Sequence, residues 1–189
     1  MPTIPLTPGA PGPDLPTLSH LHSYGALINV FRMALWSPQI AEGMAVLGAA
    51  QFAHSSLTPV DREMAILAVG ALYESEYEAA QHEPISRSVG VTDHQRDAIA
   101  QRRWDDPGLT EAQQAMLQFV AAVVAAPTVP QEALDRIRLH YSDRQVVELV
   151  IQGGYYYLLG RITTVLDVPI DAPSDTRVLD AGVSAASQN

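Results

Sequence analysis

Residues 58–89, which read TPVDREMAILAVGALYESEYEAAQHEPISRSV, carry the clearest signals of the fold, those of two consecutive helices. Thr58 followed by a proline is a helix start signal, because threonine caps the first free amides and proline fits the first turn. The apolar run that follows, MAILAVGAL, is rich in small residues and predicts a deeply buried helix. A second helix is expected from about Ser75 to Ser88, and Pro84 is expected to kink or break it.

Similar start signals recur on both sides of this stretch, so the rest of the chain is also predicted to be helical. Ser37 precedes a proline, and Thr92, Thr110 and Ser142 each precede a helical pattern. A glutamine three residues after Thr110 and after Ser142 completes a capping box in both places. The other predicted helices cover residues 18–34, 37–54, 92–101, 110–126, 130–141 and 142–167. No segment alternates long enough to form a convincing strand, which gives an all-α fold of about eight helices.

The residue types present restrict the possible chemistry. The chain has 189 residues, 47% of them hydrophobic, with eleven arginines, no lysine, no cysteine and a formal net charge of −10. Without lysine there is no Schiff base and no Walker lysine, and without cysteine there is no thiol nucleophile, redox disulfide or thiolate metal site. An acidic chain without a basic run is not expected to bind nucleic acid. Oxygen and imidazole chemistry remain, or binding alone.

The two ends of the chain differ in composition from its centre. Residues 1–17 contain six prolines and are predicted to form an extended arm, residues 18–170 a single helical domain, and residues 171–189 a tail that is loose or docked on a neighbouring subunit. The arm lacks the apolar stretch of a secretory signal. The apolar segment 146–166 contains Glu148 and Arg161, which argue against a bilayer-spanning helix. We therefore expect a soluble, cytoplasmic protein without a membrane partner.

One side of the second helix brings together three chemically useful side chains. Ser75, Glu78 and His82 fall within roughly 60° of one another, since successive helical residues lie about 100° apart. A carboxylate one turn from an imidazole can accept its N–H and raise its pKa, which makes the histidine a base or a proton donor near neutral pH. The same spacing is common on solvated helix faces, where it adds only about 0.2–0.5 kcal/mol. Spacing alone leaves both interpretations open.

Glu63, which stands just before the apolar run, also has two interpretations. It is either the last exposed residue of a first turn, stabilised by the helix dipole, or a carboxylate that enters the core. If the two helices fold back on each other, Glu63 would approach Ser75 and His82. Two carboxylates and one imidazole would suit iron or manganese, but no second histidine lies at helical spacing from His82, so no metal is expected.

Four segments carry a likeness to known proteins. They are RMALWSPQIAEGM at 32–44, residues 57–99, LTEAQQAMLQFVAAVV at 109–124 and HYSDRQVVELVIQGGYYYLLGRI at 140–162. Their most specific motif is YExxxH, formed here by Tyr77, Glu78 and His82. On these segments the chain resembles the carboxymuconolactone decarboxylase family, which includes the alkylhydroperoxidase D-like proteins, from about residue 27 to residue 168.

The resemblance also shows what this chain lacks. In the peroxidase branch a glutamate is followed by a CxxC pair and by a histidine four residues after the second cysteine. By position, Glu63 and His82 match the glutamate and the histidine, while Ser75 and Glu78 stand where the cysteines would be. A thiol peroxidase or disulfide reductase is therefore excluded. Another branch has a YEW-type motif, with tryptophan where this chain has Ala79, which implies a wider cavity here.

The resemblance implies an alkylhydroperoxidase D-like helical bundle that assembles as a homo-oligomer, often a trimer or hexamer, with the motif lining a pocket near a subunit interface. The family's named reaction is the decarboxylation of a lactone acid without an organic cofactor. In that setting His82, Glu78 and Glu63 would be the catalytic residues. Ser75 and Tyr77 would bind and orient the substrate.

These observations support two main hypotheses. The first is a cofactor-independent acid–base enzyme, a decarboxylase, lyase or isomerase, acting on a small carboxylate, lactone or carbonyl compound. Here His82 is the main acid–base residue, Glu78 its orienting partner and Glu63 a second carboxylate. The alternative is a non-catalytic, oligomeric small-molecule-binding protein that has lost the family's redox cysteines. A carboxylate-rich metal enzyme is a third hypothesis.

Overall fold

The computed structural model describes residues 2–171 and residue 180, and in this part of the chain there are nine α-helices and no β-strand. The helices are α1 (Pro16–Ser23), α2 (Asn29–Ala34), α3 (Pro38–His54), α4 (Pro59–Leu72), α5 (Glu76–Val89), α6 (Asp93–Ala100), α7 (Glu111–Ala125), α8 (Gln131–Arg138) and α9 (Asp143–Val165). The predicted all-α fold is confirmed. None of the described helices combines the length and the apolar character needed to cross a bilayer.

The helix starts predicted from the capping residues Thr58, Thr92, Thr110 and Ser142 are confirmed, whereas Ser37 precedes α3 without a side-chain cap. The Thr58 hydroxyl accepts a hydrogen bond from the Asp61 amide at 3.0 Å and opens α4. Complete capping boxes open α6 at Thr92 and α7 at Thr110. Before α9, Ser142 and its glutamine partner make the same reciprocal pair of hydrogen bonds, at 2.9 and 3.3 Å. Capping is decided within four residues, so the local sequence is sufficient to predict it.

One prediction about helix continuity is wrong, and of the two outcomes expected at Pro84, a kink or a break, the break does not occur. The single helix expected over residues 18–34 is divided into α1 and α2, because Gly25 adopts a left-handed backbone conformation with φ of 65°. The second helix of the central stretch is not broken by Pro84, since α5 continues through this residue to Val89. It ends, as expected, at Gly90, whose φ of 101° is the left-handed conformation of a helix C-cap.

The chain divides into two compact units, which we call unit 1 (residues 1–55 and 161–189) and unit 2 (residues 56–160). In unit 1, α3 packs against α1 and α2. In unit 2, α4 packs against α5, α6 and α7, and α7 packs against α8. The largest fully buried apolar side chains of unit 2 are Met64, Ile66, Val69, Ile99, Met116, Leu117, Phe119, Ile137 and Leu149.

The proline-rich arm is non-helical over residues 2–15 and is hydrogen-bonded to other parts of unit 1. The Thr3 amide donates to the Leu166 carbonyl at 3.1 Å, and the Trp36 indole donates to the Pro5 carbonyl at 2.8 Å. Residues 172–179 and 181–189 of the predicted tail lie outside the described residues. The division into arm, single domain and tail stays a prediction.

Candidate active site

The candidate site lies in unit 2 and is built mainly from the α4–α5 pair. A short connection joins the two helices, and the Ser75 hydroxyl then caps α5 by accepting a hydrogen bond from the Glu78 amide at 3.3 Å. Gly70 of α4 allows the close approach, because a Cβ atom at this position would lie 3.3 Å from Cβ of Glu78. Glu63 of α4 and His82 of α5 are thereby brought into contact.

The central contact is between Glu63 and His82. Oε2 of Glu63 lies 2.9 Å from Nδ1 of His82, so the Glu63 carboxylate accepts a hydrogen bond from Nδ1–H and fixes the orientation of the ring. Nε2 of His82 is 3.9 Å from Oε2 of Glu78. The prediction that Glu78 orients His82 is therefore wrong in geometry, since Glu63 makes the hydrogen bond and Glu78 faces the opposite nitrogen.

The three side chains are buried, which decides between the interpretations left open by the sequence. Glu63 is 0% exposed, Glu78 3% and His82 6%. Neither the exposed first-turn interpretation of Glu63 nor the solvated-face interpretation of the Glu78–His82 pair is correct. Two buried carboxylates beside one imidazole cost free energy by desolvation, so their charges depend strongly on one another.

A buried arginine, which the sequence analysis did not single out, extends this cluster. Nε of Arg62 lies 3.6 Å from Oε1 of Glu63, and the guanidinium is almost fully buried. The Gln152 side chain of α9 donates a hydrogen bond to the Arg62 carbonyl at 3.1 Å. The sequence did not predict a role for Arg62, because adjacent helical residues point about 100° apart. Arg62 lies beside Glu63 because both side chains are buried among the packed helices.

Two of the three consecutive tyrosines of α9 also belong to the site. The Tyr156 ring meets the His82 ring edge-on with centroids 5.0 Å apart, and Tyr155 meets Tyr156 in the same way at 5.3 Å. Tyr157 points elsewhere and stacks against Tyr73 at 4.5 Å. Successive helical residues point about 100° apart, so the three rings cannot all face one site, and the packing of α9 decides that Tyr156 reaches His82.

Burial and neighbouring charges together raise the pKa values of three groups in the cluster. Burial raises the pKa of Glu78 to about 7, although the neighbouring His82 charge lowers it in part. Burial by itself lowers the pKa of His82, but the charge and hydrogen bond of Glu63, with the charge of Glu78, raise it above its ordinary value. Burial, together with the Glu63 charge, holds the pKa of Tyr156 well above its usual range. Glu78 and His82 are therefore the groups suited to exchange a proton.

The site also contains buried oxygen atoms that can accept further hydrogen bonds. Within the described part of the chain, Oε1 of Glu63, Oε1 of Glu78 and Oε1 of Gln152 have no hydrogen-bond partner. Buried polar atoms are normally hydrogen-bonded, so such atoms indicate a place where a bound molecule can donate. Among the residues that the structure describes, no three His, Cys, Asp or Glu side chains are arranged to hold a metal ion.

The two residues predicted to bind substrate have different surroundings. Ser75 is buried and caps α5. It lies near Gly160 of α9, since a Cβ atom added to Gly160 would be 3.8 Å from Cβ of Ser75. Tyr77 is buried one position before Glu78, so its side chain leaves the helix about 100° away from Glu78. The roles of Ser75 and Tyr77 towards a substrate stay predictions.

Comparison with known proteins agrees with this architecture. Residues 38–126, which include α3 to α7 and all of the α4–α5 site, match the model of the carboxymuconolactone decarboxylase family. Over these residues the chain is similar to this family. No curated protein sequence matches this chain.

Solved structures show the same fold. An uncharacterized peroxidase-related protein from Silicibacter sp. TM1040 is 18% identical, with 90% of this chain and 92% of that chain covered and a TM-score of 0.76. An uncharacterized peroxidase-related protein from Ralstonia eutropha JMP134, described as an alkylhydroperoxidase AhpD core, is 22% identical, with 96% of both chains covered and a TM-score of 0.75. The chain therefore has the alkylhydroperoxidase D-like fold.

A debrominase, Bmp8, is a further structural neighbour. Its apo structure is 20% identical to this chain over 92% of each chain, with a TM-score of 0.66. A cysteine-to-alanine variant of Bmp8 is known in complex with 2,3,4-tribromopyrrole. At this level of identity the likeness concerns the fold alone.

Proposed function

We propose that this protein is a cofactor-independent acid–base enzyme, of decarboxylase, lyase or isomerase type, that acts on a small carboxylate, lactone or carbonyl compound. One observation carries the proposal: Glu63 holds His82 at Nδ1, which leaves Nε2 directed towards Glu78, a buried acid with a pKa of about 7. Acid–base catalysis is most effective when the pKa of the catalytic group is near the working pH.

The roles of the three residues follow from their positions. Glu63 fixes the ring of His82 and stabilises its charged form, as a carboxylate does for a catalytic histidine. His82 transfers the proton through Nε2, and Glu78 exchanges a proton with that nitrogen between turnovers. In a decarboxylation the C–C bond to the carboxylate breaks, carbon dioxide leaves, and the resulting enolate carbon takes up the proton that His82 delivers.

The residue content supports acid–base chemistry over thiol chemistry. The chain contains no cysteine, and Ser75 and Glu78 stand at the two positions where the resemblance places redox cysteines. The debrominase neighbour was studied as a cysteine variant, whereas this chain offers no thiol to any substrate. A carboxylic acid with a pKa near 7 provides a proton where the thiol would provide a nucleophile.

The test measures both the turnover of candidate compounds and the exchange of their protons with solvent. A panel of lactone acids, β-keto acids and ketones is incubated with the protein in D2O, and NMR follows carbon dioxide loss and hydrogen–deuterium exchange beside the carbonyl. We expect His82→Gln to reduce both by roughly 100-fold to 10,000-fold, the usual contribution of a general acid–base residue.

The matched control is His94→Gln. His94 also pairs with a carboxylate, Asp106, at 2.6 Å, but its side chain is 58% exposed and it is not part of the cluster. Its replacement should leave both rates unchanged. Equal losses in the two variants, or an unchanged rate in His82→Gln, would contradict the assignment. If the wild-type protein binds panel members without turnover or exchange, the non-catalytic binding protein is the better description.

A homo-oligomer forms part of this proposal. The unit 2 part of α9 exposes Val147, Val150, Ile151 and Leu158, which recur at helical spacing and form one apolar stripe. An exposed apolar stripe of this kind favours association with another protein surface. Light scattering after gel filtration should give a mass above that of one chain, and Ile151→Glu should shift it towards the monomer.

A further inference from the structure

A second possible binding site lies in unit 2 between α4, α5 and α6, and its lining does not include His82. It is a cavity of about 590 Å³ whose apolar lining includes Leu67, Ala71, Ala79 and Ile99. Small-molecule sites usually measure about 300–1,000 Å³ and combine an apolar interior with a few polar groups. We propose that this cavity binds a small organic cation, an ammonium group attached to an apolar body about the size of an aromatic ring.

The apolar part of the cavity sets the character of the ligand's body. Leu67 and Ala71 lie one turn apart on α4, and Ala79 of α5 presents only a methyl group where a larger side chain would fill the space. The glycine at position 70 adds no side chain. Such a surface gains free energy by excluding water from a hydrocarbon body, at about 25 cal/mol per Å² buried.

The charged side chains around the cavity determine the sign of the charge that a ligand should carry. The carboxylates in the lining are Glu74, Glu76, Glu83, Asp93 and Asp97. The guanidinium groups are those of Arg87, Arg96 and Arg102. Five carboxylates against three guanidinium groups leave two net negative charges, so the cavity attracts a cation and repels an anion.

Each guanidinium group is already paired with a carboxylate. Arg87 lies 2.9 Å from Glu83 and 2.7 Å from Asp93, and Arg96 also pairs with Asp93. Arg102 lies 3.1 Å from Glu74. The arginines are therefore neutralised locally and do not form an anion site.

The unbalanced negative charge belongs to Glu76 and Asp97. Within the described part of the chain, neither carboxylate makes an ion pair. The N-terminus of α5 opens near the same cavity and favours an anion, but its partial charge of about +0.5 is smaller than two carboxylates, and Ser75 already caps it. Glu76 and Asp97 are thus the residues that would face the ammonium group.

This inference does not depend on the proposed acid–base reaction. Glu63, Glu78 and His82 are absent from the lining of the cavity, which shares Ser75 with the candidate active site, and cation binding is measured without turnover. A failure of either proposal is therefore distinguishable from a failure of the other.

The test compares three probes that share one aromatic body. These are 2-phenylethylamine, which is a cation at neutral pH, 2-phenylethanol, which is neutral, and 3-phenylpropionate, which is an anion. Each is titrated into the full-length protein and followed by calorimetry and by ligand-observed NMR. We expect the amine to bind most tightly, the alcohol more weakly and the carboxylate not at all at this site, and added salt to weaken the amine only.

Two sets of variants locate the binding. Ala79→Trp should weaken the amine at least about tenfold, because the indole fills the space that the probe needs. Its control is Ala125→Trp, at an exposed helical alanine outside the cavity, which should leave the affinity unchanged. The double variant Glu76→Gln with Asp97→Asn should weaken the amine roughly threefold to tenfold and leave the alcohol unaffected, as expected for exposed charges.

Three results would overturn the proposal. They are an affinity for 3-phenylpropionate equal to that for the amine, an unchanged amine affinity in Ala79→Trp, and no binding of any probe at about 10 mM, the weak limit of a specific site. If Ala79→Trp does not fold, the charge variant decides the matter by itself, because both of its substitutions are at exposed positions.

Discussion

Glu42 in unit 1 and Glu63 in unit 2 are both buried glutamates on helices, but their hydrogen-bond partners are different in kind. Glu42 of α3 accepts from two backbone amides, those of Thr17 at 2.7 Å and Leu18 at 3.0 Å. These are the second and third residues of α1, which has no side-chain cap of its own. Glu42 therefore supplies, from a distant helix, the acceptor that an N-cap residue usually provides.

Glu63 is surrounded by groups that carry or exchange charge. Its partners are the His82 imidazole and the Arg62 guanidinium, and the second carboxylate of the cluster, Glu78, lies across the imidazole. Backbone amides cannot change their protonation state, whereas an imidazole and a carboxylic acid can. Burial alone therefore does not distinguish the two carboxylates, whereas the titratable nature of their partners does.

The largest effect is expected from Glu63→Ala. Removing this carboxylate takes away the hydrogen-bond acceptor of buried His82 and the carboxylate beside Arg62, and breaking a buried ion pair usually costs about 3–5 kcal/mol. Urea unfolding at neutral pH measures the loss, and Glu63→Gln, which keeps the shape, should lose less. A cost below about 1 kcal/mol for Glu63→Ala would show that the cluster is not electrostatically coupled.

Glu42→Ala should have the next largest effect, about 3 kcal/mol, because two amides at the start of α1 lose a charged acceptor. Glu42→Gln keeps one acceptor oxygen and should recover part of the loss in thermal or urea unfolding. Neither variant should alter proton exchange by the His82 site. A change in exchange without a change in stability would remove the distinction between the two carboxylates.

Glu78→Gln should change the pH dependence of stability by an intermediate amount. The folded-state pKa of Glu78 is raised from 4.5 to about 7, so its protonated form is favoured and stability is lost as pH rises through about 7. His82, whose pKa is also raised, loses its contribution in the same direction. Between about pH 5 and 8 the wild type should lose on the order of 2 kcal/mol more than the variant, by linkage.

Unfolding curves at several pH values check this prediction. The control is Glu42→Gln, whose curve should run parallel to that of the wild type over the same range. A Glu78→Gln curve that is also parallel to the wild type would mean that Glu78 is ionised throughout, and it would remove the proton donor from the proposed function.

The smallest effect is expected from Ser75→Ala. A local cap is worth about 1 kcal/mol, and the Ser75 hydroxyl caps α5 by accepting a hydrogen bond from the Glu78 amide at 3.3 Å. Thermal unfolding should show this modest loss, smaller than that of Glu42→Ala. A loss of turnover beyond the loss of stability would support the predicted role of Ser75 in substrate binding, and unchanged turnover would limit Ser75 to capping.

Features that depend on residues close together in the chain could be predicted from the sequence. The starts of α4, α6, α7 and α9 follow from capping residues, and the i, i+4 spacing places Glu78 and His82 on one side of α5. The absence of cysteine excludes thiol chemistry without any structure. Each of these inferences needs only a few consecutive residues or the composition of the chain.

Which carboxylates are buried, and which groups they contact, depends on how the helices pack in the tertiary structure. It placed Glu63 rather than Glu78 on Nδ1 of His82, brought Tyr156 against the same ring, and used Glu42 to cap α1. These contacts join residues 19 or more positions apart, and no local pattern encodes them. The physical reason is that burial raises the free energy of an isolated charge, so the packing of helices fixes both the partner and the protonation state of each buried acid.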